Sequence, residues 1–350
     1  MNILIEGGDL NPPFAEGTRN VAITHAKALI KKGHNVVILT RNKSRINGKK
    51  LIKKETIQGI KFYRWSNYFE LAFLYQKIIQ KEKINLVHFF AKGGRPKIYL
   101  NLLKRLGNKP FIFTLLGLPV YSPKKVEKVI IGSLNNVNLG VITSNVLLNK
   151  FKKGFKNTIY VPIGIDFDKY TVKKEKRVYV LALRKPTEQT VDAFKRLKKE
   201  FPSIKFVFNS STLDKKDKIT EDVLENFEVI GNNERMPDIF NKTLILVDLH
   251  DKEFPLRCAS PPVAIIEALS CGTTVVSTDM PEIREVITDK KNGYLIDSEK
   301  EEEIYTTLKN LLNKKLKKQK ISAHSMISKY NINNVIKTYE QLYQKLLTSC

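Results

Sequence analysis

Short apolar runs, each followed by a stretch of helical periodicity, recur from one end of this chain to the other. In the first half they are Asn2–Glu6, Asn35–Thr40, Asn85–Phe90, Pro110–Leu116 and Asn138–Thr143. In the second they are Arg177–Leu183, Ile204–Asn209, Phe227–Ile230, Leu244–Leu249 and Thr273–Thr278. Runs with almost no polar alternation have no solvent face and suit strands covered on both sides. Helical patterns such as Thr18–Lys32, Thr187–Glu200 and Pro262–Ser270 lie between them. The alternation predicts βαβ units and parallel sheets, an α/β fold. Lys53–Trp65, broken at Gln58-Gly59, predicts a hairpin or two short strands.

At 350 residues the chain is long enough for two such sheets, each with its own core. Pro162-Ile163-Gly164-Ile165-Asp166 and the charged stretch Thr171–Lys176 read as a joint. The expected domains are 1–168 and 169–350, both Rossmann-like and doubly wound, with the final helix able to cross back to the first. Cys258, Cys271 and Cys350 show neither CxxC spacing nor a nearby histidine cluster, which fits free thiols in a reducing compartment. The start lacks the basic segment and apolar run of a signal peptide, and no stretch approaches the roughly 18 apolar residues of a membrane span. The sequence therefore predicts a cytoplasmic protein that at most rests on the inner face of a membrane.

The formal net charge is +26. Residues 1–170 hold 30 Lys and Arg against 9 Asp and Glu; the remainder hold 31 against 26. A uniform compositional bias would not load one half in this way, so the first half is expected to face something anionic. Lys43, Arg45, Lys49, Lys50, Lys53 and Lys54 cluster around one loop. Arg95, Lys97, Lys104 and Arg105 fall on a candidate amphipathic helix, Arg95–Leu106, whose apolar side is Tyr99, Leu102, Leu103 and Leu106. That helix either lies on an anionic membrane surface or packs its apolar stripe on its own sheet.

Doubly wound sheets bind ligands outside the carboxyl ends of their strands. The loop after Leu244–Leu249 runs from His250 to Pro262 and leads into Val263–Ser270. Ser260 is placed to cap that helix, with Pro261 or Pro262 in its first turn, so Pro262 and Val263 open a helix end that attracts phosphate. Glu267 interrupts an otherwise apolar run and reads either as a satisfied structural acid or as a binder of a ribose diol. His88 ends a strand of the first half and reads as structural or as a substrate contact.

The segment "PVAIIEALSCGTTVVST" at Pro262–Thr278, followed by "PEIREVITDKKNGYLI", resembles the donor site of family 4 glycosyltransferases. "GHNVVILT", "VITSN" and "VPIGIDFDKY" match that family in the same order. The resemblance implies the GT-B fold, two Rossmann-like domains facing a cleft, and transfer of a sugar from a nucleotide-sugar donor with retention and without a metal. It implies that Glu267 binds the donor ribose and that Arg184 neutralises the leaving diphosphate. It also implies an acceptor contact for His88. The loop from Gly7 to Arg19 resembles the family's "PPxxGG" loop, with Gly17 close to donor phosphate or sugar and Arg19 on the acceptor side.

Three positions depart from the family. The first of its two glutamates falls at Ala259, and Glu253 in the same loop is the candidate substitute. Its lysine falls at Gln189, and Lys185 is the candidate replacement beside Arg184. Leu116 stands where the family has histidine in Thr-x-His-Gly. The expected partners are a nucleotide sugar, a glycan or lipid-linked acceptor and an anionic membrane surface. No cofactor or metal is expected, and GxGxxG is absent. Three alternatives stay open. They are a non-catalytic homologue that binds a nucleotide sugar or a partner, an epimerase of the same fold, and a basic nucleic-acid-binding protein, although no helix-turn-helix, RRM or OB pattern is present.

Overall fold

The computed structural model describes residues 1–12, 17–42, 52–93, 97–118, 123–210, 213, 217–231, 235–250, 260–298, 300–314 and 325–349. They fall into two compact units, one built within 1–165, 260 and 330–349, the other within 166–250 and 261–329.

The first unit contains β1 (Asn2–Gly7), α1 (Gly17–Lys31), β2 (Asn35–Arg41), β3 (Lys54–Ile57), β4 (Ile60–Trp65), α2 (Tyr68–Lys81) and β5 (Leu86–Lys92). It continues with α3 (Lys97–Gly107), β6 (Phe111–Gly117), α4 (Pro123–Leu134), β7 (Leu139–Ile142), α5 (Asn145–Phe151) and β8 (Thr158–Tyr160). The strands form one sheet ordered β3-β4-β2-β1-β5-β6-β7-β8. Only the β3–β4 pair is antiparallel among the described strands. That pair is the expected hairpin: Gln58 and Gly59 have φ of 52° and 81°, the positive values a two-residue primed turn requires. β6 is buried along its whole length, as its apolar sequence requires of a central strand.

α2 begins with a reciprocal cap. The Asn67 side chain accepts from the Glu70 N–H, and the Glu70 carboxylate accepts from the Ser66 N–H. Leu71, Tyr75 and Ile78 of α2 join Tyr99, Leu100 and Leu103 of α3 in one core beneath the sheet. The C-terminal helix, Ile332–Thr348, packs beside α1 in this same unit.

The second unit contains β9 (Tyr179–Ala182), α6 (Glu188–Glu200), β10 (Lys205–Asn209), α7 (Lys218–Asn226), β11 (Glu228–Ile230), α8 (Met236–Lys242) and β12 (Thr243–Asp248). After these come α9 (Val263–Ser270), β13 (Thr274–Thr278), α10 (Pro281–Arg284), β14 (Tyr294–Ile296) and α11 (Glu301–Asn313). Its sheet, ordered β11-β10-β9-β12-β13-β14, is parallel throughout the described strands. The order reverses between β9 and β12, the place where such sheets open a crevice.

Candidate active site

At that reversal two short segments leave neighbouring strands. Leu183-Arg184-Lys185-Pro186 follows β9 and ends at Thr187, whose hydroxyl accepts from Thr190 N–H to cap α6. Leu249-His250 follows β12. Together with Gln189 of α6 and Ser298 after β14, Arg184, Lys185 and His250 line a cavity of about 530 Å³.

Asp248, the last residue of β12, is fully buried and organises this wall. Its Oδ1 accepts from Arg184 Nε at 2.6 Å, and its Oδ2 lies 3.2 Å from His250 Nε2. Burial alone would raise its carboxyl pKa, but the Arg184 charge and the His250 contacts outweigh it, and the group is held well below the usual carboxylate range. The His250 backbone is fixed as well: its N–H donates to Thr278 Oγ1, and its carbonyl accepts from Ser298 Oγ. In the sequence His250 only opens the loop after this strand, and no motif there marks Asp248. The signal that could have found it was a carboxylate ending a buried strand, which needs a cationic or hydrogen-bonding partner.

Lys185 points its ammonium to Asp217, the N-cap of α7, at 2.9 Å. This pair is largely exposed, so the lysine is not locked away from the cavity. Gln189 lines the same cavity where the family resemblance has a lysine.

Glu267 lies on α9, buried with 6% of its surface exposed. Pro262 is the N-cap of α9 and makes no side-chain cap bond; Val263 is the first helical residue. Ser260 is buried but does not cap this helix, a correction to the expectation. Two prolines in succession explain it. Each disfavours the helical region for the residue before it, so the helix starts only after Pro262, two residues too late for Ser260 to cap it. At the other end Gly272 has φ of 70°, which stops α9 and turns the chain into β13. Glu253 and Ala259 lie outside the described residues, as do Cys258 and Cys350. Cys271 is buried, and burial pushes its thiol up to about 12.

In the first unit, Gly17 is the first residue of α1, and Arg19 Nη2 pairs with Asp9 Oδ2 at 2.5 Å. His88 needs two corrections. It is the third residue of β5 rather than a strand end, and it is completely buried instead of facing an acceptor. Its Nδ1 meets Tyr343 Oη at 2.6 Å and its Nε2 meets Thr114 Oγ1 at 2.7 Å. Tyr343 also bonds His25 Nε2 at 2.8 Å, and Thr114 bonds Tyr339 at 2.9 Å. The C-terminal helix thus covers both rings with its two tyrosines. Burial pushes His25 down to about 3 and His88 well below its ordinary value.

The helix expected at Arg95–Leu106 is α3, and its apolar side is corrected too. Tyr99 and Leu103 are buried in the unit's own core, whereas Leu102 and Ile98 are exposed. Lys43, Arg45, Lys49, Lys50 and Arg95 lie outside the described residues.

The sequence profile of "Glycosyl transferases group 1" matches residues 171–333, and that of "Glycosyl transferase 4-like" matches residues 14–145. The chain belongs to the group 1 glycosyltransferases. No sequence of a curated protein matches it. Solved structures of the same fold include sucrose-phosphate synthase from Thermosynechococcus elongatus, with a TM-score of 0.75 at 13% identity over 100% of both chains. A glycosyltransferase from Rickettsia africae gives 0.71 at 16% identity, covering 100% of this chain and 99% of that one. Anabaena HepE in complex with UDP and glucose gives 0.71 at 15%, covering 98% and 99%. These likenesses establish a GT-B fold with two Rossmann-like domains, and the family makes this chain a glycosyltransferase.

Proposed function

We propose that this glycosyltransferase moves a sugar from a nucleoside-diphosphate sugar to a glycan or lipid-linked acceptor at an anionic membrane surface, with retention and without a metal. The observation that carries the reading is Arg184, held by buried Asp248 at the strand-order reversal and facing a cavity of about 530 Å³. As the bond from the anomeric carbon to the diphosphate oxygen breaks, negative charge grows on the leaving group. Arg184, with Lys185 beside it, supplies preorganised positive charge at that moment. Glu267 is assigned the donor ribose, whose paired hydroxyls suit a carboxylate acceptor. The acceptor hydroxyl forms the new bond to the anomeric carbon and gives up its proton to the departing diphosphate oxygen. UDP sugars are the first donors to try, since HepE was solved with UDP and glucose. The site is assigned to the cytoplasmic face, where nucleotide sugars are made.

A second reading, a nucleotide-sugar binder without turnover, is favoured by Gln189 and Leu116 standing where the family has lysine and histidine. Release of free nucleoside diphosphate from a panel of nucleotide sugars, with and without chelator, separates the two. Chelator-resistant release supports the transferase; binding with no release supports the second reading.

A further inference from the structure

Two helices of the first unit carry apolar side chains on their outer faces. On α2, Phe69 is 91% exposed and Phe73 67% exposed, four residues apart and therefore on one stripe. On α3, Ile98 is 81% exposed, and Leu102, again four residues on, is also exposed. Both helices bury their opposite faces in the same core and pack against one another, with the Tyr68 and Tyr99 rings 6.4 Å apart. The two apolar stripes therefore look outward from the same side of the unit. Apolar side chains clustered like this, rather than scattered singly, mark a surface that meets something.

The rim of this surface is cationic. Between the β3–β4 hairpin and α2 lies a second cavity, of about 210 Å³, lined by Lys53, Lys54, Lys77 and Lys81 with Tyr63 and Glu70. Glu70 is already committed to Lys53, at 2.7 Å, and to the N–H of Ser66. Among the described residues Lys77 and Lys81 have no carboxylate at ion-pair distance, and Lys54 acts on Glu82 only at longer range, since Lys61 pairs with that carboxylate directly. Lys54 lies 5.3 Å from the Tyr63 ring and Lys77 lies 5.8 Å from the Phe73 ring. Lys97 and Arg105 flank the α3 stripe.

We propose that the α2–α3 face is a docking surface for an anionic phospholipid bilayer. Phe69, Phe73, Ile98 and Leu102 enter the interfacial region while the four lysines hold a headgroup phosphate in the cavity beside α2. Charge complementarity selects this occupant. A second copy of the chain would set lysine against lysine, whereas anionic lipid attracts each cation near its surface and accepts exposed aromatic rings at headgroup depth. A nucleic acid would meet the lysines but leave the aliphatic Ile98 and Leu102 stripe unused. The inference deepens the lipid-linked acceptor reading and rests on it for its purpose only. Docking is measured without nucleotide sugar, so its failure leaves donor binding untouched, and the reverse holds.

The experiment is co-sedimentation of the full chain with phosphatidylglycerol–phosphatidylcholine vesicles and with phosphatidylcholine alone, at low and high salt. The wild type is expected to pellet with the anionic vesicles at low salt and to be released by high salt. Phe69→Ser/Phe73→Ser and Lys77→Glu/Lys81→Glu are each expected to lower vesicle affinity by about tenfold or more. Neither pair is in the core, and unchanged melting curves confirm that the variants fold. Three results overturn the proposal. One is wild-type protein that stays in the supernatant with anionic vesicles at low salt. Another is both variants pelleting as the wild type does. The third is chemical-shift changes at the four lysines with inorganic phosphate or a single-stranded oligonucleotide but no vesicle binding, which would make this a site for a soluble anion or for nucleic acid.

Discussion

Arg184 Nε donates to Asp248 Oδ1 at 2.6 Å across the point where the strand order of the second sheet reverses. The arginine comes from the loop after β9 and the aspartate ends β12, so the pair ties together the two strands that border the crevice. Asp248 is fully buried, and His250 takes its other oxygen. A cation held this way does not need to be reoriented when a diphosphate departs, which is the condition for electrostatic catalysis.

Asp248→Asn keeps the shape but removes the charge that aims Arg184. Turnover of the nucleotide sugar is expected to fall on the order of tenfold to a hundredfold, the cost of a misplaced catalytic group. The same substitution changes the acid limb of stability. The folded-state pKa of Asp248 is depressed, so its contribution is complete above the unfolded value near 4 and is lost as pH falls from there toward the folded value. Urea unfolding at pH 5 and pH 3 should show a steeper loss for the wild type than for Asp248→Asn; equal losses would remove Asp248 from the account.

The first unit has its own acid-labile element. His25 and His88 are buried as neutral rings, with His25 pushed down to about 3. Below about pH 6.5 the unfolded chain binds protons that the folded chain refuses, so stability falls with acidification by about 1.4 kcal/mol per pH unit for each histidine. Full stability is present above pH 6.5. Melting temperatures of wild type and His25→Phe between pH 7.5 and 5 check this, and the variant should show the shallower decline.

Tyr343→Phe removes the one hydroxyl that bridges His25 Nε2 and His88 Nδ1. Two buried ring nitrogens then lose a partner, and the expected cost is about 1–3 kcal/mol, read by denaturant unfolding at pH 7.5. Donor binding should be unchanged. A stability loss under half a kcal/mol would mean that the network on this helix does not hold it in place.

Much of this architecture can be read from the residues, and the exceptions have physical reasons. Apolar runs such as "NVVILT" and "LILVDL" place β2 and β12 because a strand covered on both faces has no alternative to being apolar. β8 escapes the same reading because its three residues are each half-buried and carry no such pattern. His88 looks like a site residue in a local window. Its burial depends on Tyr339 and Tyr343, more than two hundred residues away. Arg184 and Lys185 were legible from the family resemblance, whereas the Asp248 and His250 support behind Arg184 arises only when β9 and β12 become neighbours. That Phe69 and Phe73 point outward follows only from the register of α2, which turns Leu71, Tyr75 and Ile78 inward.

Glu267→Gln should weaken nucleotide-sugar binding by about 1.5–3 kcal/mol, the range for hydrogen bonds to a charged group, while the fold survives. Equilibrium binding by fluorescence or calorimetry, paired with a melting curve, checks both halves. Unchanged affinity in a folded variant would return Glu267 to a structural role within α9.

The most direct test of the central claim is calorimetric titration of a panel of nucleoside-diphosphate sugars into wild-type protein and into Arg184→Ala, followed by turnover with the donor that binds. The account predicts that at least one nucleotide sugar binds the wild type and is turned over with release of nucleoside diphosphate. It predicts a fall in kcat of about a hundredfold or more in Arg184→Ala, while chelator changes neither binding nor rate. If no nucleotide sugar binds the folded wild type, or if Arg184→Ala turns the donor over at the wild-type rate, the assignment of this crevice as the donor site is contradicted.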